Sequence, residues 1–493
     1  MFIGYVVGES TTSSANVLMK NKVREGSYVT LEYEDVKALG LLTSLTVGSD
    51  VVDKDINDVI LLDDLAKVNR DRIPKFVKGK IKLLVDLNGL RRIDLPPPPL
   101  TEVRLATDEE LKAVYSRGNL SIGKVLGSNV PATIDINGLT RHMAILAATG
   151  AGKSNTVAVL STRLAELGAT VVIFDYHGEY SSLNTKRLNL IEPKLNPLKF
   201  STKEFATLLN IRENAHIQYR ILRRAFDDVK GEITNQLKSG KFDLKNVQEN
   251  LKNLFLEKIN NQATKEKDND KSLAEVKNKI EEFFDEYGDF IDVNLEDVMD
   301  LISSARVNVV DLSPLDEDVM DAIVSHYLRR FLTSRKEHKR TGKGFKYPLL
   351  TVIEEAHVLL SKDRNTLTKH WAAKIAREGR KFGVILTVVS QRPKGLDENI
   401  LSQTLNKIIL RLVEPTDKKY VLETSDNLTE DLVQGLSSFN PGEALVIGPS
   451  VKLPMMVKID KYEGNLAGKD PNLMEEWNRA KEEELIGKEA LEW

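Results

Sequence analysis

Through the last three-quarters of the chain, apolar segments of strand length alternate with helical patterns. Six of them are nearly continuous in apolar residues, namely 142–147, 170–175, 307–312, 348–354, 383–390 and 406–413. Strands that are apolar on both faces are typical of parallel sheets covered by helices, and alternation with helices is typical of βαβ units. The pattern predicts an α/β core with a mostly parallel sheet.

The first 95 residues have a different pattern. The runs FIGYVV, SYVTLEY and KIKLLVDL read as short strands separated by turn residues, with one helical patch, DINDVILLDDLAKV, between them. The run Pro96–Pro99 can neither continue a helix nor donate to a sheet. We therefore predict a small β-rich domain over 1–95 and a proline-containing linker over 96–118.

The remaining chain divides into a core and two helical parts. The core is predicted over 119–200 and 306–459. Between these ranges, 201–305 is rich in Lys, Glu, Asn and Leu at helical spacing, which predicts a helical insertion. The polar run 264–272 is expected to form an exposed hairpin between helices. The charged segment 460–493 is predicted to be a helical tail.

The amino-acid composition excludes several classes of function and site. The 493 residues correspond to about three domains, and 70 basic against 73 acidic side chains give a net charge of −3. Binding of a polyanion must therefore come from local placement of charge. The chain has no cysteine, which excludes disulfides, thiolate metal sites and cysteine nucleophiles. With no signal peptide and no apolar run of about 18 residues, we expect a soluble cytoplasmic protein.

The strongest chemical signal is the glycine-rich run Ala147–Ser154 (AATGAGKS), which follows an apolar strand and opens a helix. Glycines allow backbone N–H groups to face inward, and the helix N-terminus adds positive charge, so the loop can cradle phosphates. Lys153 is expected at the β- and γ-phosphates and Ser154 at Mg²⁺. Nucleotide contacts are predicted for Thr149, Gly150, Ala151, Gly152, Lys153, Ser154 and Asn155. The strict pattern has Gly where this chain has Ala147, a strand-end position that tolerates a methyl group.

Further polar residues follow other core strands. Glu354 and Glu355 end the segment LLTVIEE; the first is expected in the Mg²⁺ shell, in part through water, and the second to polarise the attacking water. Gln391 ends the next strand, where it can sense the γ-phosphate. Asp175 ends the strand TVVIFD and is a further candidate for nucleotide contact. Ligand sites of open α/β sheets lie at these carboxyl ends.

Two arginines precede strands instead of following them. Arg380 lies on the segment that enters the strand ending at Gln391. It either pairs with a helix C-terminus or acts as an arginine finger on a nucleotide bound by a neighbouring subunit. Arg141, just before the phosphate-loop strand, is a weaker candidate for the same role.

Two other classes of phosphate-loop protein lack support. Asn406–Lys407 is followed by Ile-Ile, so the Asn-Lys-x-Asp base-reading motif of GTPases is missing. No LSGGQ-like signature accompanies the loop, which argues against an ABC-type ATPase.

Five motifs in order, ATGAGKSNT, FDYHGEY, VIEEAH, REGRKFG and SQRP, followed by PGEALVIG, carry a resemblance to one family. The chain resembles the archaeal HerA helicases of the HerA–FtsK group of RecA-like P-loop ATPases. The resemblance extends to the leading β-rich domain and to the insertion before the carboxylate strand. It implies a RecA-like fold with an N-terminal β-barrel that helps to form a ring and to dock a nuclease.

The resemblance also implies an activity. It implies a homo-hexamer that uses ATP and Mg²⁺ to move on double-stranded DNA, partnered by a NurA-like nuclease and by Mre11–Rad50 in end resection. By the same resemblance Glu355 is catalytic, Gln391 is the sensor, Arg380 is the finger in trans, and Arg141 is a second arginine at the subunit border.

Two interpretations remain open on the residues alone. One is an ATP-hydrolysing DNA motor, and the other is a non-motor, ATP-gated scaffold that clamps DNA or recruits a nuclease. Glu355 together with Arg380 distinguishes them, because a scaffold needs neither.

Candidate DNA contacts are the least defined. The basic stretch 334–346 reads as either a DNA contact or a solvated helix end. Segment 361–370 could project from the ATP site toward the pore of a ring. Lys362 and Arg364 are the expected phosphate contacts there.

Overall fold

The computed structural model describes residues 1–52, 58–67, 74–212, 214–238, 244–263, 270–295, 297–426, 428–466, 473–474 and 477–479. Within these residues the chain forms a closed barrel and one large sheet that is flanked by helices. Among the helices described, none is both long and apolar enough to cross a membrane.

The barrel is built from six antiparallel strands. They are β1 (Phe2–Val6), β2 (Ser14–Met19), β3 (Tyr28–Tyr33), β4 (Val36–Gly48), β5 (Phe76–Asp86) and β6 (Glu102–Leu105). The order around the barrel is β1-β2-β5-β4-β3-β6, and β6 pairs with both β1 and β3 to close it. The predicted barrel domain is confirmed, and alternate strand residues such as Ile3, Val17 and Leu31 fill its interior.

The prediction of a linker over 96–118 is wrong. This range contains β6, and without β6 the barrel would have open edges. The four-residue strand EVRL gives too short an alternation to be read from sequence. A helix, α2 (Asp108–Tyr115), also lies in this range and starts with a capping box between Thr107 and Glu110.

The large sheet has eleven strands. They are β7 (Leu120–Val125), β8 (Pro131–Ile134), β9 (Met143–Leu146), β10 (Thr170–Asp175), β11 (Leu188–Ile191), β12 (Val307–Asp311), β13 (Leu349–Ile353), β14 (Val384–Ser390), β15 (Asn406–Ile409), β16 (Glu443–Ile447) and β17 (Met455–Ile459). The order is β11-β12-β10-β13-β14-β9-β15-β16-β17-β7-β8. All six predicted strands are present and mutually parallel.

Strands at the two sides of this sheet were not predicted. β16, β17, β7 and β8 extend it with antiparallel pairs beyond β15, and β11 adds a parallel strand at the far side. These strands are four to six residues long. Such short runs gain their pairing partners from distant parts of the chain, so local periodicity gives little sign of them.

Helices cover the sheet and form the insertion. They are α1 (Val59–Lys67), α2 (Asp108–Tyr115), α3 (Lys153–Glu166), α4 (Thr202–Leu208), α5 (His216–Lys238), α6 (Leu244–Ala263), α7 (Asp270–Tyr287), α8 (Glu317–Thr341), α9 (Ala356–Leu359), α10 (Leu367–Phe382), α11 (Glu398–Gln403), α12 (Pro415–Glu423) and α13 (Glu430–Gln434).

The predicted helical insertion is confirmed by α4 to α7. Its core is a group of stacked rings in which Phe205 lies 4.8 Å from Phe226 and 5.1 Å from Phe255, measured between ring centroids. Buried Glu204 of α4 accepts a 2.9 Å hydrogen bond from Arg329 of α8 and so joins the insertion to the core. The predicted hairpin at 264–272 lies outside the described residues, except for 270–272, which open α7.

The segment after β17 differs from the predicted helical tail. Residues 460–466 form an irregular segment that crosses α3, and we call it the strap. Two of its backbone groups, the Asp460 carbonyl and the Tyr462 N–H, are bonded to the side chain of Asn155 in α3. Most of the rest of the predicted tail lies outside the described residues.

Two buried tyrosines join the barrel to the sheet. The rings of Tyr28 and Tyr115 are 5.2 Å apart. The Tyr28 hydroxyl accepts a 2.9 Å hydrogen bond from the backbone N–H of Met456, and the Tyr115 hydroxyl donates to the Pro454 carbonyl at 3.1 Å. The orientation of the barrel on the core therefore depends on buried polar contacts as well as on apolar packing.

We predict that Tyr28→Phe lowers the free energy of unfolding by about 1–3 kcal/mol, because it leaves the buried N–H of Met456 without an acceptor. Chemical denaturation measures the change. Tyr5→Phe is the matched control, since Tyr5 is an exposed barrel residue and should change stability by less than about 0.5 kcal/mol. Equal effects of the two substitutions would contradict the importance of this bond.

Candidate active site

The phosphate loop depends on two glycines with left-handed backbone. Gly150 has φ +72° and Gly152 has φ +103°, conformations that strain any residue with a Cβ. A Cβ at Gly152 would also lie 3.2 Å from the backbone nitrogen of Gly442. Immediately afterwards Lys153 begins α3, so the loop ends at a helix N-terminus.

Ala147 occupies the position where the strict loop pattern has glycine. Its N–H donates to the Ser390 carbonyl at 3.2 Å, which continues the ladder between β9 and β14. Its φ is not positive, and its methyl group is buried in the core. An alanine fits here because the backbone is still extended.

A chain of side-chain contacts connects the loop to two neighbouring strands. The Thr149 hydroxyl donates to Gln391 Oε1 at 2.6 Å, and Gln391 Nε2 donates to Glu355 Oε1 at 2.7 Å. The same carboxylate oxygen accepts from the ammonium of Lys153. Thus four predicted site residues that follow strands β9, β13 and β14 meet at one edge of the sheet, namely Thr149, Lys153, Glu355 and Gln391.

The two adjacent glutamates have opposite electrostatic environments. Burial raises the pKa of Glu354 to about 8, although Lys153 lies 3.8 Å away and opposes the shift. Burial also acts on Glu355, but the contacts with Lys153 and Gln391 outweigh it and lower the pKa of that carboxyl. Near neutral pH, therefore, Glu355 is ionised while Glu354 is mostly protonated.

The loop after β10 determines how Glu354 is held. Fully buried Tyr180 donates its hydroxyl to Glu354 Oε1 at 2.8 Å. The loop is itself folded around Asp175, whose carboxylate accepts the backbone N–H groups of Glu179 and Tyr180 at 3.0 and 2.8 Å. Asp175 is fully buried, so in this structure it shapes the loop and makes no surface that a nucleotide can touch.

Tyr180 and His357 are site residues that the sequence analysis missed. Each stands in a motif quoted above, FDYHGEY and VIEEAH, so a signal existed, but neither residue was singled out. His357 Nδ1 lies 3.2 Å from Glu355 Oε2 and 3.3 Å from the Ser390 hydroxyl. Burial lowers the pKa of His357, which favours the neutral ring beside the glutamate.

The predicted Mg²⁺ position offers two oxygen donors, from Ser154 and Glu354. Ser154 lies in the first turn of α3 and is half-buried. Glu354 Oε2 is buried without a hydrogen-bond partner among the described residues. A hydroxyl and a carboxylate oxygen suit Mg²⁺, which keeps several waters and needs few protein ligands. In the described part of the chain, no group of three or more acidic or histidine side chains forms a metal cluster.

Asn155 is engaged by the strap. Its Nδ2 donates to the Asp460 carbonyl at 2.8 Å, and its Oδ1 accepts from the N–H of Tyr462 at 2.7 Å. The predicted direct contact of this amide with nucleotide therefore competes with two existing bonds.

Arg380 and Arg141 lie away from the phosphate loop of their own chain. Both precede strands whose opposite ends carry the site, and the seven residues of β14 span about 23 Å. The two arginines are near each other, since a Cβ on Gly379 would lie 3.5 Å from the ring of His142. Both side chains are exposed, and neither forms an ion pair with the residues described.

The two predicted DNA contacts, Lys362 and Arg364, differ in whether they already form ion pairs. Arg364 forms ion pairs with Glu317 and, at 3.3 Å, with Asp318 at the start of α8. Lys362 is exposed and its side chain has no ion pair within the described ranges. In the basic stretch 334–346, buried Arg335 donates to the carbonyls of Phe345 and Phe382, so this residue has a structural role.

Comparisons with known proteins identify the family of the chain. The family model "Helicase HerA, central domain" matches residues 120–331, and "HAS barrel domain" matches residues 3–109. The chain is 59% identical to a DNA double-strand break repair helicase HerA of Sulfurisphaera tokodaii, over 100% of both chains. Identity to the helicase of that name from Saccharolobus solfataricus is 55%, over 99% of this chain and 98% of the other.

A solved structure supports the fold alone. VirB4 of Thermoanaerobacter pseudethanolicus aligns with a TM-score of 0.53 and 19% identity, covering 71% of this chain and 98% of VirB4.

The pKa of Glu354 predicts a pH-dependent stability. Its folded value of about 8 exceeds the ordinary 4.5, so between these values the folded state holds a proton that the unfolded state has lost. Stability must then fall as pH rises through this interval. Because a glutamine side chain cannot ionise, Glu354→Gln should reduce the loss between about pH 5 and about pH 9 by a few kcal/mol.

Thermal unfolding of the nucleotide-free protein at the two pH values measures this difference. Glu398→Gln is the control, since Glu398 is exposed and should leave the wild-type pH dependence intact. A Glu354→Gln profile parallel to wild type would show that Glu354 is ionised in the folded state at neutral pH.

Proposed function

The chain belongs to the HerA helicase family, and we propose that it is a hexamer that hydrolyses ATP to move along double-stranded DNA. Family membership makes it a helicase-type P-loop ATPase of DNA double-strand break repair. We further propose that it works with a NurA-like nuclease, and with Mre11–Rad50, in end resection.

The observation that carries the proposal is the unequal placement of the two glutamates, since the Lys153 ammonium contacts Glu355 directly and lies 3.8 Å from Glu354. Neighbouring carboxyls whose environments separate their pKa values are suited to different roles. Ionised Glu355, oriented by Gln391, can accept a proton from the attacking water. Bound Mg²⁺ would favour the ionised form of Glu354, whose buried Oε2 has no hydrogen-bond partner among the described residues, so that this carboxylate would join the Mg²⁺ shell beside Ser154. Mg²⁺ would neutralise charge that develops on the phosphates.

Lys153 would couple nucleotide binding to the strength of Glu355 as a general base. In this structure its ammonium contacts Glu355. Phosphates in the loop would attract the ammonium away and so remove the contact that lowers the pKa of Glu355. The carboxylate would then become a stronger base at the moment when substrate is present. A scaffold that only clamps DNA has no use for this arrangement, so we favour the motor.

Arg380 supports a site shared between subunits. It precedes β14, whose seven residues span about 23 Å to the end that carries the site, so it lies at the opposite edge of the sheet from the phosphates bound by its own chain. In a ring, head-to-tail contact would bring this edge of one subunit to the phosphate loop of the next. We therefore propose Arg380 as the finger in trans, with Arg141 next to it.

The outer end of the barrel supports the proposed docking of a partner. Val47, Val59 and Ile60, near the tip of the β4–β5 ribbon, are 68%, 71% and 73% exposed. Large apolar side chains that stay exposed are candidates for a protein interaction site. For DNA, Lys362 is the stronger candidate, because Arg364 would first have to leave its acidic partners.

We predict that Glu355→Gln keeps nucleotide binding and loses turnover by about 10²–10⁴-fold, the usual contribution of a general base. Lys153→Ala should lose turnover together with affinity, because it removes the charge that faces the phosphates. Phosphate release with and without duplex DNA, together with nucleotide titration, measures both. Glu398→Gln should behave as wild type. A larger loss of hydrolysis in Glu354→Gln, with binding intact, would reverse the roles of the two glutamates.

Arg380→Ala should lower turnover by about 10³–10⁵-fold if it is a finger, whereas loss of a helix-dipole contact amounts to about 0.3–1 kcal/mol. Mixing Arg380→Ala subunits with Glu355→Gln subunits should restore part of the activity, because some interfaces would pair an intact Glu355 with an intact neighbouring arginine.

The control for the arginine experiment is Lys381→Ala, an exposed basic neighbour that should retain turnover. Near-normal DNA-stimulated turnover of Arg380→Ala would remove this residue from the site.

A further inference from the structure

Residues 355–366 join the candidate active site to the predicted DNA contacts, and we call them the linking segment. It starts at Glu355, continues through α9 and ends where α10 begins. The backbone N–H of Lys362 donates to the Gly395 carbonyl at 3.0 Å, which attaches the segment to the loop that follows Gln391. The linking segment is therefore connected to the proposed site residues that follow both β13 and β14.

The first residue of the linking segment has a strained backbone. Glu355 has φ +40°, a left-handed conformation that is unfavourable for a residue with a Cβ. Such conformations persist only where surrounding contacts impose them, and they are concentrated at active sites and switch regions. The backbone that places the Glu355 carboxylate on Lys153 therefore depends on the contacts that hold the segment.

The far end of the linking segment is held by the first turns of α8. Arg364 forms ion pairs with Glu317 and, at 3.3 Å, with Asp318, and we call these two ion pairs the latch. Next to them, buried Asp321 accepts two backbone N–H groups at the start of α10, at 2.8 and 2.7 Å. The three side chains of the latch are about half exposed, so a ligand can reach the latch but not the Asp321 contact.

The latch lies close to the proposed catalytic glutamate. Burial raises the pKa of half-buried Tyr176, and the carboxylates of Glu317 and Glu355 raise it further. Arg364 opposes this shift. Interactions between charges near a protein surface are screened beyond about 10 Å, so the latch and Glu355 lie around this one side chain.

A DNA phosphate competes with the latch for Arg364. A guanidinium group uses the same fork of N–H donors for carboxylates and for phosphates. Duplex DNA presents a dense row of phosphates, whereas the first turn of α8 presents the two carboxylates of Glu317 and Asp318. Contact of Arg364 with DNA therefore breaks the latch.

We propose that Arg364 is the residue through which DNA regulates the ATP site, because the latch restrains the linking segment and a DNA phosphate opens it. With the latch open, the backbone can rotate at Glu355, and the carboxylate can leave Lys153 for the attacking water. With the latch closed, Glu355 stays on Lys153 and turnover is slow. This regulation rests on the proposed function, since it requires an ATPase that DNA stimulates.

Removal of the acidic partners tests the latch. We expect the double substitution Glu317→Gln and Asp318→Asn to raise DNA-free ATP turnover by about 2–5-fold, the shift in a conformational equilibrium that exposed ion pairs support. Turnover at saturating duplex DNA should equal that of wild type, because the latch is then open in both proteins. Asp363→Asn is the matched control. It removes an exposed carboxylate of the same segment and should leave DNA-free turnover unchanged.

Arg364→Ala opens the latch from its other side. It should raise DNA-free turnover by the same factor as the double substitution. Combining the two changes should give no further rise, because both remove the same contact. DNA-free turnover at the wild-type level in both variants, or an equal rise in Asp363→Asn, would overturn the latch.

DNA affinity provides an independent measurement. Because DNA and the latch compete for Arg364, the double substitution should strengthen binding of a labelled duplex, and this gain should disappear when Arg364→Ala is also present. Fluorescence anisotropy of the full chain at fixed salt measures the affinities. A gain that persists without Arg364 would also overturn the latch. Wild-type turnover that duplex DNA does not raise would instead contradict the proposed function itself.

Discussion

The buried contact between Lys153 and two adjacent glutamates is the constraint on which the site depends. An ammonium group taken out of water costs several kcal/mol unless an opposite charge compensates it. Lys153 is only 7% exposed, and one ammonium can balance one carboxylate. Glu355 compensates the charge through a direct contact with the Lys153 ammonium, whereas Glu354 Oε1 lies 3.8 Å from Lys153 Nζ. The difference between the glutamates follows from charge balance in a buried space.

The parallel sheet makes this contact possible. β13, β14 and β9 are adjacent and parallel, so the residues that follow them meet at one edge although they are far apart in sequence. The neighbouring strand β10 supplies support instead of chemistry, because Asp175 folds the loop that places Tyr180 against Glu354. The proposed catalytic groups and the residues that hold them thus come from the ends of four consecutive strands of the sheet.

The same topology separates the two halves of a proposed subunit interface. The carboxyl ends of the strands carry the phosphate loop, and the amino ends carry Arg141 and Arg380. Two complementary surfaces at different edges of one chain are what head-to-tail assembly requires, and such contacts close into a ring when the rotation allows it. The barrel, joined to β17 through Tyr28, adds a separate surface whose apolar tip is exposed.

Local sequence patterns were enough to predict the parallel strands, the phosphate loop, and Glu354, Glu355 and Gln391 as strand-end residues. These features follow from local patterns, since continuous apolar runs, glycine spacing and strand-end polar groups can be read within about ten residues. Tertiary structure alone decided that β6 closes the barrel, that Tyr180 holds Glu354, and that Asn155 bonds to the strap, 305 residues away. It also decided that the Lys153 ammonium contacts Glu355 directly and lies farther from Glu354. These properties depend on burial and on partners brought together from distant segments, so no local pattern could indicate them.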